Sequence, residues 1–508
     1  MKRTVSFRTS NGNIFLYSPF KKQFLLCHPI IRHLFELECS GSDVGAFIDS
    51  LRPAGVLDIP DYGRFSYQEL SYQWKKYCFL KKHHFFHSPK KRNLNGRMNP
   101  SRVTENLATI NQVIFETTEE CNLSCTYCTY SKFYSNKDRQ RRKFNPVDAR
   151  KTLDHLLAIR DNCAGKLIIS FYGGEPLKNI RFIREIVEYL TVTYSNRHTF
   201  KFTMSSNGLL LAKYAEFLSS NQFEISVSLD GDEDGNSFRL LPNHRSSYNL
   251  VIKNLDFIRD NYPEYFEKNI SFLTVLHNRN SYNEVQKFFK QKYSKTALTS
   301  TINTLNINEE HLQEFKQTFL VRKNTDIPDQ TLMHDLFMRH HDVKELADTL
   351  EKYTGFIFKN HFQVMSRING NTGFNELIPT ATCSPFSMRV FLAADGTILP
   401  CEHISRIFEL GHIQNGEIYI DNESIAGMFN QHFDKIQALC DQCFLADNCK
   451  ECVFNTRIET SHPRCDFFMD ETRFKAYLAK NLGMIENEFS LYLRIINEAF
   501  LEHETIHE

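Results

Sequence analysis

The sequence lacks three features that would assign it to a function class at once. Lys and Arg number 61 against 60 Asp and Glu, so the formal net charge is only +1. Such a chain lacks the overall positive charge with which proteins attract nucleic acids and anionic membranes. No run approaches the roughly 18 apolar residues of a membrane helix, and the start MKRTVSFRTSNG has no apolar signal-peptide core. The sequence therefore predicts a soluble, cytoplasmic chain without a nucleic-acid or membrane partner.

The length and the composition indicate a folded protein of more than one domain. A chain of 508 residues exceeds one ordinary domain, so two or three domains are expected. The 41% of hydrophobic and 24% of charged residues are typical of globular proteins and exclude a wholly disordered chain.

Cysteine is sparse as well, but its distribution is uneven. Fourteen cysteines are too few for a small disulfide scaffold, and ten of them form two groups. The groups are Cys121, Cys125 and Cys128, and then Cys383, Cys401, Cys440, Cys443, Cys449, Cys452 and Cys465. The other four are expected to be buried as small hydrophobic side chains. They are Cys27, Cys39, Cys78 and Cys163. Clustered cysteines in a chain without a secretory signal indicate metal binding.

Residues 1–105 are expected to form a small N-terminal α+β module and a linker. Alternating apolar residues on both sides of Asn11-Gly12 predict a β-hairpin. Pro29 suits the start of a helix over PIIRHLFELE, and YQELSYQWKKY predicts another helix. The basic stretch KKHHFFHSPKKRNLNGRMNP has the composition of a linker.

Residues 106–305 alternate strand and helix patterns. The predicted strands are QVIFET, KLIISFYG, FKFTMSS, EISVSLD, ISFLTVL and LTSTINT. The predicted helical segments between them are NPVDARKTLDHLLAIR, NIRFIREIVEYLTVTY, LLLAKYAEFLSS, SYNLVIKNLDFIRDNY and SYNEVQKFFKQKY. Such alternation predicts an α/β fold with parallel strands. Because six units are two short of a closed eightfold barrel, we expect an open, partial (β/α)6 barrel.

The remainder divides into a bridging region, residues 306–380, and a cysteine-rich region, residues 381–508. The segments EEHLQEFKQTF and VKELADTLEKY predict helices in the former. Short strands among the cysteines, followed by the amphipathic helices TRFKAYLAKNL and EFSLYLRIINEAF, are expected in the latter.

The first cysteine group directly follows the first predicted barrel strand, where barrel enzymes carry their chemistry. Three thiolates on one short loop can bind three irons of a [4Fe–4S] cluster and leave the fourth iron open. A zinc site is the alternative, but it would require a fourth ligand nearby.

This loop resembles the CxxxCx(aromatic)C signature of the radical S-adenosylmethionine (SAM) enzymes, which Cys121, Cys125, Tyr127 and Cys128 match. Three further segments match the family's motifs at the next three strand ends. They are Gly173-Gly174-Glu175-Pro176, Ser206-Asn207-Gly208, and Ser226-Val227-Ser228-Leu229-Asp230-Gly231. The resemblance implies that SAM binds the open iron and is cleaved to a 5′-deoxyadenosyl radical, which removes a hydrogen from the substrate.

By the same resemblance, these motifs supply the SAM contacts. The implied residues are Tyr127, Gly173, Gly174, Glu175, Ser206, Asn207, Ser228, Asp230 and Arg239. The family's His-Asp before the arginine is replaced here by Gly235-Asn236, which leaves Arg239 and Arg245 both open as partners of the SAM carboxylate.

The second cysteine group exceeds one tetrahedral zinc site, which by itself favours two metal centres. Its order resembles the SPASM domain, a twin-cluster extension of many radical SAM enzymes. The family pattern implies that Cys440, Cys443, Cys449 and Cys465 hold one auxiliary [4Fe–4S] cluster, and that Cys383, Cys401 and Cys452 hold the other. Two departures are a shorter Cys449–Cys452 spacing and the absence of cysteine between Cys383 and Cys401, which leaves the fourth ligand of that cluster open.

The resemblance implies an oxidoreductase that acts on a peptide or protein and receives electrons from a flavodoxin or ferredoxin. The N-terminal module is similar to the leader-binding module of peptide maturases, so we expect modification of a ribosomally made precursor peptide, by a thioether or other crosslink. The alternatives are formylglycine formation in sulfatases and a non-catalytic iron–sulfur scaffold. An acid follows the corresponding cysteine in the formylglycine-forming relatives, so Glu402 is a candidate base, and His403 is another.

Overall fold

The computed structural model describes most of the chain. The described residues are 4–88, 93–94, 97–134, 140–160, 165–320, 334–354, 376–377, 382–446, 449, 451–458 and 463–498. Cys163 lies outside them, as do parts of the predicted linker, of the bridging region and of the last predicted helix.

The chain begins with a module of short antiparallel strands and three helices. Its elements are β1 (Val5–Arg8), β2 (Ile14–Ser18), β3 (Gln23–Leu26), α1 (Pro29–Cys39), α2 (Val44–Leu51), β4 (Val56–Ile59), β5 (Gly63–Ser66) and α3 (Tyr67–Lys82). The predicted hairpin joins β1 to β2 through Gly12, whose φ of +85° suits a residue without a Cβ atom. Ser66 and Glu69 form a capping box at the start of α3, which satisfies amide groups that a helix end leaves unpaired.

Both faces of the β1–β2–β3 sheet are covered. Ile14 and Leu16 pack in one core with α1, α2 and α3. On the opposite face, Phe7 and Tyr17 share a second core with Phe474 from the C-terminal region. The module is therefore attached to the far end of the chain by buried apolar contacts, which stabilise its position.

The barrel follows β6 (Asn93–Leu94) and α4 (Pro100–Ala108). Its strands are β7 (Gln112–Thr118), β8 (Leu167–Gly173), β9 (Phe200–Ser206), β10 (Glu224–Ser228), β11 (Ile270–Leu276) and β12 (Ala297–Thr301). Its helices are α5 (Pro146–Ile159), α6 (Ile180–Tyr194), α7 (Leu211–Ser220), α8 (Tyr248–Asn261), α9 (Pro263–Asn269) and α10 (Tyr282–Tyr293).

The six strands lie side by side in chain order, and every pair is parallel. Successive residues point to opposite faces of a strand, so Val113 and Phe115 pack against the helices. Ile114, between them, belongs to a separate small cluster on the inner face. The predicted partial (β/α)6 barrel is confirmed.

The bridging region contains α11 (Leu312–Phe315), α12 (His334–Arg339), α13 (His341–Thr354) and β13 (Glu376–Leu377). The predicted helix over EEHLQEFKQTF is wrong as one element, because the chain forms a 3₁₀ turn, a single α turn and a π turn in succession. Phe315 and Phe319 from these turns are fully buried in an aromatic cluster with Phe133 and Phe238. We attribute the irregular winding to this packing, which takes precedence over the regular helical period.

The C-terminal region continues the barrel sheet. It contains β14 (Arg389–Leu392), β15 (Thr397–Leu399), β16 (Gly411–Gln414), β17 (Glu417–Tyr419), α14 (Asn422–Cys440), β18 (Thr456–Arg457), β19 (Arg464–Cys465), α15 (Glu471–Asn487) and α16 (Phe489–Ile496). β14 pairs in parallel with β7, and β15, β16 and β17 follow in antiparallel order. The predicted boundary at residue 381 therefore does not coincide with a break in the sheet.

The scattered cysteines only partly match the expectation of burial. Cys27 is buried, but Cys39 and Cys78 are exposed, so the prediction was wrong for these two. Cys39 ends α1 and Cys78 lies on α3, at positions that leave both side chains outside the module's core. Among the described residues, no helix combines the length and apolar character needed to cross a membrane.

Candidate active site and metal centres

The loop of the first cysteine group begins three residues after β7 ends. Two backbone hydrogen bonds hold it against a neighbouring segment: the Ser124 amide donates to the Leu240 carbonyl at 2.7 Å, and the Thr126 amide donates to the Phe238 carbonyl at 2.9 Å. The Cys125 thiol is buried near Cys121 and Cys128, and burial, with a smaller contribution from these thiols, raises its pKa to about 12. Three clustered thiols of this kind fit an iron–sulfur cluster, whose irons bind the thiolate form and displace the protons.

The turn after β8 lies directly against this loop. The Gly174 amide donates to the Thr118 carbonyl and the Glu175 amide donates to the Glu120 carbonyl, both at 2.8 Å. Gly173 has a φ of +124°, and a Cβ atom there would lie 2.2 Å from the Thr118 oxygen. Only glycine fits this close approach of two backbone segments.

Glu175 is fully buried and links three strand ends. Its carboxylate accepts hydrogen bonds from the Ser206 hydroxyl at 3.0 Å, the Asn207 amide at 2.8 Å and the Leu177 amide at 3.2 Å. Burial raises its pKa to about 7, although these hydrogen bonds act in the opposite direction. A buried carboxylate of this kind would gain most from a cationic ligand such as an ammonium group.

Asn207 connects the β9 end to the cysteine loop. Its side-chain amide donates to the Asn122 side-chain oxygen at 2.7 Å and lies 3.6 Å from the Cys121 sulfur. Ser228, which ends β10, is half-buried on the same side of the barrel. The residues predicted at the four strand ends are thus brought together.

Three of the predicted SAM contacts are hydrogen-bonded to one another. Arg239 donates to both oxygens of Asp230, with distances of 2.9 Å and 3.1 Å. Tyr127 also donates its hydroxyl to Asp230. Asp230 and Arg239 are thus paired with each other, and their assignment to SAM stays a prediction. Arg245, the alternative partner of the SAM carboxylate, is exposed.

Inside the barrel lies a cavity of about 270 Å³ with a polar wall. Hydroxyl groups and two carboxylates contribute much of its lining: Ser170, Thr203, Ser205, Ser226, Ser271, Glu224 and Glu402. Hydrogen bonds link Gln112, Ser170 and Thr203 across three strands, each at 2.6 Å. The cavity can therefore accept a ligand that offers hydrogen-bonding groups.

The two candidate bases differ in their surroundings. Glu402 has a side chain only 14% exposed, and Arg389 donates to its Oε1 at 3.4 Å. Its Oε2 is buried and, within the part of the chain that the structure describes, has no hydrogen-bond partner. The His403 side chain is 77% exposed. Glu402 therefore faces the cavity with an unsatisfied oxygen, whereas His403 faces solvent.

The second cysteine group forms two sets that meet at Cys452. Cys440, Cys443, Cys449, Cys452 and Cys465 line one narrow, largely apolar cavity. Burial and the nearby thiols of Cys443, Cys449 and Cys465 raise the pKa of Cys440 to about 12. The four-cysteine set implied by the resemblance is thus gathered around one space, and four thiols suit a [4Fe–4S] cluster or zinc.

The other set lies nearer the barrel. The pKa of Cys452 is raised by burial first and then by Cys383, while that of Cys401 is raised to about 11 by burial and then by Glu402 and Cys452. Cys401, Cys452 and Cys383 are therefore neighbours, as the resemblance implies. Their three thiols fit a cluster that lacks one cysteine ligand.

An ion-pair network that the sequence did not suggest connects the end of β7, just before the first cysteine loop, to the residues on either side of Cys401. Arg406 donates to Glu119 at 3.1 Å and to Glu116 at 3.4 Å, and it also pairs with Asp395. Arg142 donates to Glu119 at 2.7 Å. Burial acts to raise the pKa of Glu119, but the hydrogen bonds from Arg142 lower it overall.

Tyr172, just before the glycine turn, was also missed. Burial raises its pKa to about 12, with further contributions from Glu402, Cys128, Glu116 and Cys401. Its phenol therefore lies between the two cysteine regions. The inward-facing position of residue 172 on β8 was readable from the strand period, but its proximity to Glu402 was not.

Comparisons with known proteins agree with this geometry. Residues 115–291 match the model of the Radical SAM superfamily. The chain is 22% identical over 346 residues to a cysteine-type anaerobic sulfatase-maturating enzyme of Clostridium novyi, which covers 65% of this chain and 81% of the relative. It is 21% identical over 418 residues to the radical SAM cyclopropyl synthase TigE of Paramaledivibacter caminithermalis, which covers 79% of each.

Among solved structures, native anSMEcpe with bound AdoMet aligns with a TM-score of 0.48 at 18% identity, over 76% of this chain and 98% of that one. The radical SAM family implies a [4Fe–4S] cluster and SAM as cofactors. The cysteine signature, the parallel strands and the family match lead to one statement, that residues 115–291 of this chain form a radical SAM domain.

Proposed function

We propose that this enzyme modifies a peptide or protein substrate inside the polar cavity of its barrel. The observation that carries the proposal is the position of the buried Glu402 carboxylate. It lines a cavity in the barrel and directly follows Cys401 of the second cysteine group. Tyr172 lines the same cavity and lies near both Glu402 and Cys128 of the first cysteine loop. An acid placed between the radical-generating loop and a second metal centre suits removal of a hydrogen atom and a proton from one substrate.

Cys121, Cys125 and Cys128 would hold the cluster to which SAM binds, and Glu175 would receive the SAM ammonium group. When bound, the cluster and SAM supply a 5′-deoxyadenosyl radical that abstracts hydrogen. The protein's own contribution is a closed, hydrogen-bonding cavity wall that orients the substrate. In this arrangement Glu402 holds or accepts the substrate's proton at Oε2.

The second cysteine group would hold two auxiliary clusters. Cys440, Cys443, Cys449 and Cys465 suit one closed [4Fe–4S] site. Cys383, Cys401 and Cys452 suit a second one, whose fourth position would remain available to a substrate group. The electrons required by the reaction would come from a flavodoxin or ferredoxin.

The finer proposal is a peptide maturase, and the N-terminal module supports it. The Cys27 amide donates a hydrogen bond to the Ile14 carbonyl of β2. Along an antiparallel strand, successive amides point alternately to one neighbour and to the other side. The amides of Phe24 and Leu26 therefore point away from β2, toward the other edge of β3. Because the faces of the sheet are already packed, this edge is where a leader peptide would add as a further strand.

A matched pair of variants tests the leader proposal. The Leu26 side chain is 64% exposed, so Leu26→Pro removes one edge amide without a large loss of packing. Leu26→Thr keeps the amide. The precursor peptide would be sought among short reading frames beside the gene. We expect only the proline variant to lose affinity for this peptide. Equal peptide affinity in both variants contradicts strand addition at β3.

Formylglycine formation is the second candidate, and the similarity to the Clostridium novyi relative favours it. The two candidates differ in their products. Mass spectrometry of a peptide substrate distinguishes a formylglycine, which replaces a Cys or Ser side chain, from a crosslink that joins two residues.

The central experiment is anaerobic reconstitution with iron and sulfide, followed by addition of SAM and dithionite. We expect about twelve irons per chain for three clusters, and production of 5′-deoxyadenosine. No 5′-deoxyadenosine from an iron-loaded protein would refute the proposal. Stoichiometric zinc at the C-terminal cysteines of anaerobically isolated protein would refute the auxiliary clusters.

A further inference from the structure

Asp230 receives an unusual number of hydrogen bonds for a residue expected to contact a ligand. Its side chain is completely buried. Besides the two bonds from Arg239 and the one from Tyr127, the Val275 amide donates to Oδ1 at 2.9 Å. His277 lies nearby, with Nε2 4.0 Å from Oδ2. Four donors leave this carboxylate little capacity for a further ligand.

These partners belong to the cysteine loop itself and to the segment that holds it. Tyr127 is part of the loop, between Cys125 and Cys128. Arg239 is part of the segment whose Phe238 and Leu240 carbonyls hold the loop's backbone. The guanidinium of Arg239 also lies 5.4 Å from the centroid of the Tyr127 ring, a cation–π distance.

The charges of the pair support a fixed role. Burial acts to lower the pKa of Arg239, but the adjacent Asp230 carboxylate raises it overall, so the guanidinium stays charged. A buried, bidentate pair of this kind keeps its geometry, because breaking it leaves one charge unpaired in an apolar environment. Phe238 and Phe319 pack around the Tyr127 ring and close this environment.

We infer that the Asp230 carboxylate, the Arg239 guanidinium and the Tyr127 hydroxyl are positioning groups that hold the cysteine loop in the shape required to receive its cluster, and that these three groups do not contact SAM. The inference rests on the proposed assignment of the cluster to Cys121, Cys125 and Cys128. These hydrogen bonds would make the site preformed, because the protein, and not the iron, would set the path of the loop between the second and third cysteines.

Two variants and one control test the inference on the full-length chain. Tyr127→Phe removes a single hydrogen bond and keeps the ring. Asp230→Asn combined with Arg239→Gln removes both charges, so that neither is left buried alone. Ser237→Ala is the control: Ser237 is half-buried in the same segment, and its hydroxyl donates to the Asp234 carbonyl and accepts from Arg279 but bonds neither to the cysteine loop nor to Asp230.

Each protein is reconstituted with ferrous iron and sulfide, and three quantities are measured: iron content, the SAM-induced change in the electron paramagnetic resonance spectrum of the reduced cluster, and the thermal midpoint. For the double variant we expect a loss of about four irons from about twelve, together with loss of the SAM-sensitive signal. For Tyr127→Phe we expect loading of this cluster to be slower by about tenfold, the effect of one hydrogen bond to a charged group. The control should match the unchanged protein.

Two results would overturn the inference. Full iron content with SAM affinity weakened about tenfold would identify direct SAM contacts, since tenfold corresponds to about 1.4 kcal/mol of binding. Full iron content with an unchanged spectrum and only a lower thermal midpoint would make the three residues merely structural. Failure of the proposed function is a separate result, because it appears as absent 5′-deoxyadenosine in the unchanged, fully loaded protein.

Discussion

The two cysteine regions of this chain are built in opposite ways. The first places three cysteines within eight residues of one loop, which is held by backbone bonds to Phe238 and Leu240 and by the buried Asp230. The second collects seven cysteines from residues 383–465, where β18 and β19 are only two residues long each. The barrel determines the geometry of the first region, whereas few regular elements determine that of the second.

The difference indicates what each region requires from its metal. A loop fixed by the surrounding protein can keep its fold without iron. A region that gathers buried thiols around a narrow cavity has little else to hold those thiols together, so metal binding and folding are expected to be coupled there.

The largest effect should come from removing cysteines of the second region. We expect Cys440→Ala with Cys443→Ala to open residues 440–465 and to raise their rate of limited proteolysis about 100-fold or more, since a structural metal site contributes several kcal/mol to local folding. Cys121→Ala with Cys125→Ala should abolish SAM cleavage but leave the barrel's protease resistance unchanged. Equal proteolysis of both double variants would contradict the comparison.

A smaller but still large effect is expected at Glu402, which tests whether the second region takes part in the chemistry. Glu402→Gln keeps the shape of the side chain and removes its charge. If Glu402 acts as a base, modified peptide should fall about 100-fold relative to 5′-deoxyadenosine. His403→Gln, on an exposed side chain, is the control. An unaltered yield of product from the Glu402 variant would limit this residue to a structural role.

The contact between the two regions can be weakened at Arg406. Arg406→Met leaves the buried Glu116 without its guanidinium partner, and we expect the free energy of unfolding to fall by about 2 to 3 kcal/mol, read as a lower thermal midpoint. Arg457→Met, at an exposed ion pair with an N–O distance of 3.9 Å, should change it by less than about 1 kcal/mol. Similar changes in both variants would show that the network does not join the regions.

The smallest effect is a pH dependence at the first region. The pKa of Glu175 is about 7 in the folded chain, against an ordinary value near 4.5, so its protonated form stabilises the fold at low pH. This contribution is complete below about pH 4.5 and is lost as the pH rises through about 7. In the absence of SAM, raising the pH from 5.5 to 8 should therefore cost about 1 to 2 kcal/mol more in the unchanged protein than in Glu175→Gln. Parallel pH profiles of the two thermal midpoints would argue against it.

Much of the barrel was predictable from sequence because its signals are local. The strand FKFTMSS coincides with Phe200–Ser206, and α5 (Pro146–Ile159) lies within the predicted segment NPVDARKTLDHLLAIR. The grouping of the cysteines was also predictable, because their spacing along the chain is a local signal too. The 19-residue helix Asn422–Cys440 was not predicted. Residues packed on this helix are distant in sequence: the Asn430 side chain, for example, pairs with the backbone of Met98.

The partners of charged groups could not be predicted either. The motif that contains Asp230 indicates a strand end near SAM, but it gives no information on the direction of Arg239 nine residues later. The network around Arg406 joins residues almost 290 positions apart, and pairing at that separation depends on the completed sheet. Sequence spacing predicts which residue types are close, whereas charge pairing needs the tertiary arrangement.

The pairing of β14 with β7 has a consequence for how this protein can be divided. If the chain were cut at residue 380, β7 would keep β8 but lose β14, and it would become an exposed edge of a parallel sheet beside the first cysteine loop. Such an edge is a template for association with other chains, so the isolated barrel would be prone to aggregate. Any chimera that exchanges the C-terminal region would have to bring a strand in register with Gln112–Phe115, because that strand closes the barrel's first edge as well as carrying the next domain.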